Sequence, residues 1–171
     1  MNKTLARWNL LDADSAAQEV LPCCGSRTWA EKLATNRPIE DEAALMAVSS
    51  AVWLALPVEA WHEAFNSHPR IGEKNAQTEA MTASLQASAQ EQSAAFSADE
   101  AAQHNLREGN QHYEQKFGRI FIVRASERSA EELLQILRRR MNNDATTELH
   151  EAADQQRQIT ELRLRRWLEG N

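Results

Sequence analysis

At 171 residues, with 42% hydrophobic and 26% charged residues, the chain is long enough to bury a core as one domain spanning 1–171, without disulfides or metals. Its net charge of −6 argues against nucleic acid as the main partner, because neutralising phosphates calls for a basic face. No apolar run approaches the ~20 residues of a membrane span, no signal-peptide pattern follows Met1, and Leu168-Glu169-Gly170-Asn171 carries no address tripeptide. The expectation is a cytoplasmic protein with no membrane partner. Cys23 and Cys24 are adjacent and are the chain's two cysteines, which fits a reducing compartment and speaks against a structural disulfide or zinc site.

Five glycines and four prolines punctuate a chain rich in alanine, glutamate, glutamine, leucine and arginine, a helical composition. The first expected helix starts at Asp14-Ser15 and runs to Leu21, ended by Pro22 and Gly25. A short one covers Thr28 to Thr35, and a longer one follows Pro38, from about Asp41 to Leu56. Pro57 is suited to open the next, which runs to Phe65. The Ala/Ser/Gln-rich stretch from Thr78 to Phe96 lacks the Pro, Gly and charge density of a linker and reads as helical. Ser97 with Glu100 forms a capping-box pattern, opening a helix whose Ala102, Leu106, Gly109, Tyr113 and Phe117 fall on one stripe at core spacing. Ile120 to Val123 is strand-like, and helices over Ala130 to Met141 and about Thr146 to Leu168 close the chain. With no recurring strand alternation and no repeat, the expected class is all-α, a single-domain multi-helix bundle.

The segment His68-Pro69-Arg70-Ile71-Gly72-Glu73-Lys74 carries the sharpest chemical signal. Proline pushes the residue before it out of the α region, so His68 should sit at a forced helix stop, with Gly72 allowing a sharp turn beyond it. An imidazole held there has little freedom and titrates near neutral pH, which suits proton transfer. The bland alternative is a surface histidine in a helix-ending turn.

On the last helix, Leu149, Ala152, Ala153, Gln156, Thr160 and Trp167 share a face flanked by Ile159 and Leu164, and Arg163 falls near its middle. A guanidinium on such a stripe needs an anionic partner or ligand, so it marks either a ligand site or a structural salt bridge. Ser84, Ser88, Glu91 and Gln92 group a hydroxyl, a carboxylate and an amide on another face, fit for a urea-like or amide-rich ligand or simply a solvated surface. Glu100, His104, Glu108 and His112 recur every four residues, yet mostly opposite the apolar stripe, so a solvated face is preferred to a metal site. Phosphate loops, nucleophile elbows and metal motifs are missing from the sequence, so an enzyme built from it is expected to use no cofactor and no metal. Two rivals from other classes are a helical binding module with structural His68 and Arg163, and a helical metalloprotein built on His104, Glu108 and His112.

Taken together, Leu21-Pro22-Cys23-Cys24-Gly25-Ser26 with Trp29, Arg37-Pro38, Ala64-Phe65-Asn66-Ser67-His68-Pro69-Arg70-Ile71-Gly72, and Ser88-Ala89-Gln90-Glu91-Gln92 follow a recognisable order. Asn110, Tyr113, Lys116-Phe117-Gly118, Phe121-Ile122-Val123, Arg138-Arg139-Arg140-Met141-Asn142 and Ile159-Thr160-Glu161-Leu162-Arg163-Leu164 continue it almost to the end. In that order the chain resembles the 2-oxo-4-hydroxy-4-carboxy-5-ureidoimidazoline (OHCU) decarboxylases, carboxy-lyases that complete the conversion of urate to S-allantoin. The resemblance implies an all-helical, cofactor-free homodimer acting on a small-molecule substrate. It implies catalytic roles for His68, Glu91 and Arg163. It also implies substrate binding by Pro69, by Ser88, Ala89, Gln90, Glu91 and Gln92, and by the backbone of Phe121, Ile122, Val123, Arg124 and Ala125. Arg124, and the stretch Ser93-Ala94-Ala95-Phe96 without a glycine, depart from the pattern.

Overall fold

A computed structural model describes residues 2–71, 82–91 (with side chains from 86 on) and 100–170. Among these, the regular elements are α1 (Lys3–Trp8), α2 (Ala13–Cys24), α3 (Arg27–Thr35), α4 (Glu42–Leu54), α5 (Val58–Asn66), α6 (Thr82–Glu91), α7 (Glu100–Phe117), α8 (Ala130–Arg140) and α9 (Ala145–Glu169). The all-α expectation holds among the described residues. Most starts follow from local chemistry: the side chains of Asn2, Asp12, Ser26, Asp41 and Ser129 each accept a backbone N–H of the first turn that has no partner within the helix. Ser129 and Glu132 cap reciprocally. The expected cap at Ser97, and Gly72, lie outside the described residues.

Three readings needed correction. Pro22 does not end α2, which continues to Cys24 and stops at Gly25, whose φ of 86° is the left-handed conformation a side chain disfavours. Proline there sacrifices one bond, to the carbonyl of Gln18 on an exposed part of the helix, where water can replace it. The helix α1 was missed, although Asn2 ahead of Leu5 and Trp8 at i, i+3 spacing was its signal. The strand-like run from Ile120 to Val123 forms neither strand nor helix. Phe121, Ile122 and Val123 are all buried, Phe121 and Val123 in one core cluster with Ala125, and the run has no partner strand among the described residues.

Two compact units are distinguishable, residues 1–64 with 157–171, and residues 65–156, and α9 contributes to each. In the first, Trp8, Trp29 and Trp61 are buried, and each indole N–H donates to a carbonyl, of Ala16 (2.9 Å), Ser49 (3.3 Å) and Trp53 (3.0 Å). Arg37 donates to the carbonyls of Ala34 (2.8 Å), Trp8 (2.7 Å) and Leu11 (2.8 Å), tying the end of α3 to the end of α1 and the turn beyond it. The second unit packs α7 against α8. Ala102, Leu106 and Tyr113 are buried as the stripe predicts, and a Cβ at Gly109 would come within 3.0 Å of Leu137 Cδ2, so glycine permits the close approach.

Candidate active site

In the 65–156 unit, α5 ends at Asn66 and the chain bends at His68, whose N–H donates to the Phe65 carbonyl at 3.2 Å. The Pro69 constraint therefore acts where the sequence places it. The imidazole is 8% exposed, which rules out the surface histidine. Its Nε2 lies 2.7 Å from Oε1 of Gln156 on α9, a side chain with no exposed surface. The residues beyond are fastened as well. Arg70 donates through Nε to Glu114 Oε1 (2.5 Å) and through Nη2 to Glu114 Oε2 (3.1 Å), and Asn110 Nδ2 donates to the Ile71 carbonyl (2.8 Å). Pro69 is half-buried.

On α6, Ser88 and Glu91 are buried while Ala89 and Gln90 are exposed. Their i, i+3 spacing puts hydroxyl and carboxylate on one inward face, so the solvated-surface reading fails for this pair. Ser84's side chain and all of Gln92 lie outside the described residues.

In the irregular segment carrying Phe121, Ile122, Val123, Arg124 and Ala125, two backbone groups pair with side chains. The Arg124 N–H donates to Gln155 Oε1 at 2.9 Å, and the Ile122 carbonyl accepts from Arg140 Nη1 at 2.7 Å. Arg140 also donates through Nε to Glu148 Oε1 (2.9 Å), which accepts from the Tyr113 hydroxyl at 2.5 Å as well. Burial, and then the bond to Glu148, push the Tyr113 phenol upward, so it remains a donor. Thus Gln155 and Gln156, consecutive on α9, hold the 121–125 segment and the His68 imidazole respectively.

Within the other unit, Arg163 is 4% exposed, and its Nη1 donates to the Pro22 carbonyl at 3.3 Å. Arg165 is exposed and pairs with Glu42 and Glu161. Cys23 and Cys24 are buried thiols. Burial pushes Cys24 up to about 12, against the pull of Ser26, Thr160 and the Arg163 charge, so it is an inert packing group rather than a nucleophile. Glu100, His104, Glu108 and His112 are all exposed, and no group of three or more metal-ligating side chains converges among the described residues. Nor is any single described helix long and apolar enough to cross a membrane.

Sequence reasoning singled out His68, Ser88, Glu91 and Arg163 as candidate site residues, and all four are buried. It placed Gln156 on the inward face of α9 without assigning it a partner, and it missed the Arg140–Glu148 pair. The burial of each member was signalled, though not their pairing, since Arg140 continues the Leu133, Leu137 stripe and Glu148 precedes Ala152 and Gln156 at four-residue steps.

The sequence profile of OHCU decarboxylase matches residues 9–165. The chain is 38% identical over 144 residues to the uric acid degradation bifunctional protein TTL of Arabidopsis thaliana, covering 83% of this chain but 44% of that protein. It is 28% identical over 162 residues to a 2-oxo-4-hydroxy-4-carboxy-5-ureidoimidazoline decarboxylase of Haloferax volcanii, covering 94% of each. A crystal structure of OHCU decarboxylase in the presence of (S)-allantoin superposes with a TM-score of 0.76 at 34% identity, covering 88% of this chain and 97% of that one.

Proposed function

The chain belongs to the OHCU decarboxylase family, and from that premise we propose that it decarboxylates 2-oxo-4-hydroxy-4-carboxy-5-ureidoimidazoline to S-allantoin in urate degradation. The observation that carries the reading is His68: a buried imidazole at a proline-set helix stop, held by a buried amide. Loss of CO2 leaves an electron pair that has to be delocalised. The substrate's own ring C=N accepts it, so the chemistry calls for no cofactor or metal as electron sink. One proton is then taken up for each CO2 released. His68 delivers it to one face of the ene-type intermediate, which fixes the hand of the product.

Arg163 holds an anionic or carbonyl oxygen of the substrate through its fork of donors. Glu91, with Ser88 and Gln92, receives the ureido N–H groups. Pro69, Ala89, Gln90 and the backbone of Phe121 to Ala125 complete the binding surface. The matching order of these residues to the family pattern supports the assignment. The same reading takes the chain as one functional domain, a carboxy-lyase acting as a homodimer in the cytoplasm, with a small-molecule substrate and no nucleic acid or membrane partner.

Circular dichroism of a fresh urate oxidation mixture tests it. Catalysis gives an allantoin signal of one sign, whereas spontaneous decay gives a racemate with none. His68→Asn should keep the helical spectrum and lose about 10²–10⁴-fold in rate, the scale of a placed acid or base. A parent protein that yields only racemate overturns the proposal, and a His68→Asn variant working at parental rate removes the role of the imidazole.

A further inference from the structure

We propose that Arg119, with Lys116 beside it, forms an oxyanion site at the end of α7 that takes a small phosphate or carboxylate on the Nε–Nη2 edge of the guanidinium. The inference uses none of the catalytic residues named above and stands whether or not the decarboxylase reading does.

The local chain sets the site up. After α7 ends at Phe117, Gly118 turns the backbone with a φ of 69°, and its N–H donates to the Glu114 carbonyl at 2.8 Å. Beyond that left-handed step, the Arg119 guanidinium carbon stands 5.7 Å from the centre of the Phe117 ring, and Lys116 Nζ stands 4.9 Å from the same centre. Two cations thus share one aromatic ring. Lys116 donates to the carbonyls of Met141 and, at 3.2 Å, Asn143, which leaves its charge uncompensated. Among the described residues, no carboxylate pairs with Lys116 or Arg119. Although the whole chain has a net charge of −6, residues 115–126 contain Lys116, Arg119 and Arg124 and no acid.

The decisive feature is the donor edge. Nε–H and Nη2–H of a guanidinium are parallel, spaced to meet the oxygens of a carboxylate or phosphate. In the same 65–156 unit, Arg70 uses that edge on Glu114 and Arg140 uses it on Glu148. In Arg119 both nitrogens of the edge are buried and have no hydrogen-bond partner, and Nε of Arg124 is in the same condition. A charged donor shut away from water without an acceptor is costly, so a buried orphan of this kind points to an ion. The Arg119 side chain as a whole is half-buried, so rotation about its own χ angles opens the edge, and the cost of the orphaned donors favours that rotation. The Lys116 charge then favours an anion over a water molecule.

The test is calorimetric titration of the full chain with inorganic phosphate and with succinate, each against chloride at matched ionic strength to remove general screening. Saturable one-to-one binding of at least one oxyanion is expected, and the tighter of the two identifies the ligand class. Arg119→Gln should weaken that binding about tenfold or more, the scale of lost charge-assisted bonds. Arg119→Lys, which keeps the charge but not the fork, should weaken it less. Arg138→Gln removes one charge from an exposed position on α8 and should bind as the parent does. The proposal is overturned by a parent that binds neither oxyanion beyond chloride, by parental affinity in Arg119→Gln, or by equal weakening in Arg138→Gln. Should Arg119→Gln lose the parental helical spectrum, Arg119→Lys decides, and parental affinity there overturns the site.

Discussion

Arg140 and Glu148 form an ion pair in which neither side chain has any exposed surface. Nε of Arg140 meets Glu148 Oε1 at 2.9 Å, Asn143 Nδ2 donates to Oε2 at 2.9 Å, and the guanidinium carbon stands 4.6 Å from the centre of the Phe121 ring. Such pairs add little net stability over an apolar replacement, but breaking one strands a buried charge. Arg140→Met should therefore cost on the order of 3–5 kcal/mol. The double change with Glu148→Met should recover part of that loss. Urea unfolding measures both, and equal stability of the single variant and the parent would dismiss the pair as a structural support. Because Arg140 also holds the Ile122 carbonyl, the double variant should remain folded yet show weaker substrate use.

Arg163→Lys keeps a positive charge but loses the planar fork. Kinetics and thermal melting, measured on the same preparation, should separate: kcat/KM falls while the melting temperature stays near the parental value. The opposite pattern, intact kinetics with a lower melting temperature, would make Arg163 a structural donor to the Pro22 carbonyl.

Acid should unfold this protein through carboxylates that are partnered in the native state. The bond from Arg7, assisted by the Trp167 indole, holds Glu19 below its ordinary value, and Arg139 does the same for Glu151. The folded chain thus binds fewer protons than the unfolded one in mild acid, so this contribution is present above the ordinary carboxylate range and is lost as pH falls through the lowered values. Melting temperature should drop between about pH 5 and pH 3. Glu19→Gln should be less stable at neutral pH, with the deficit shrinking on acidification. A deficit that stays constant with pH contradicts the assignment.

The legibility of the chain was uneven for physical reasons. The inward face of α9 could be read because a 3.6-residue period exposes any polar residue that breaks an apolar stripe, and Gln156, Thr160 and Arg163 are all buried. The His68 bend was readable because proline constrains its neighbour locally. The pairing of Arg140 with Glu148 was not, since it joins two helices and depends on how α8 lies against α9. At Ile120 to Val123 the strand-like composition was real, but whether it becomes a strand depends on a partner, and side chains of Arg140 and Gln155 bond two backbone groups there instead. Pro22 misled because a proline's cost depends on which carbonyl it leaves unpaired, and Gln18 lies where solvent reaches it.

Gln155 and Gln156 point about 100° apart around the axis of α9, as any two neighbours on a helix must, and each grips a different loop. The helix thereby acts as a gauge with two adjacent marks. A small roll of α9 moves both marks in step, so the aim of the imidazole and the placement of the 121–125 segment are inherited as one setting. Substitutions that rotate the helix would spoil both at a stroke, and a compensating change has to restore the roll itself rather than repair either loop.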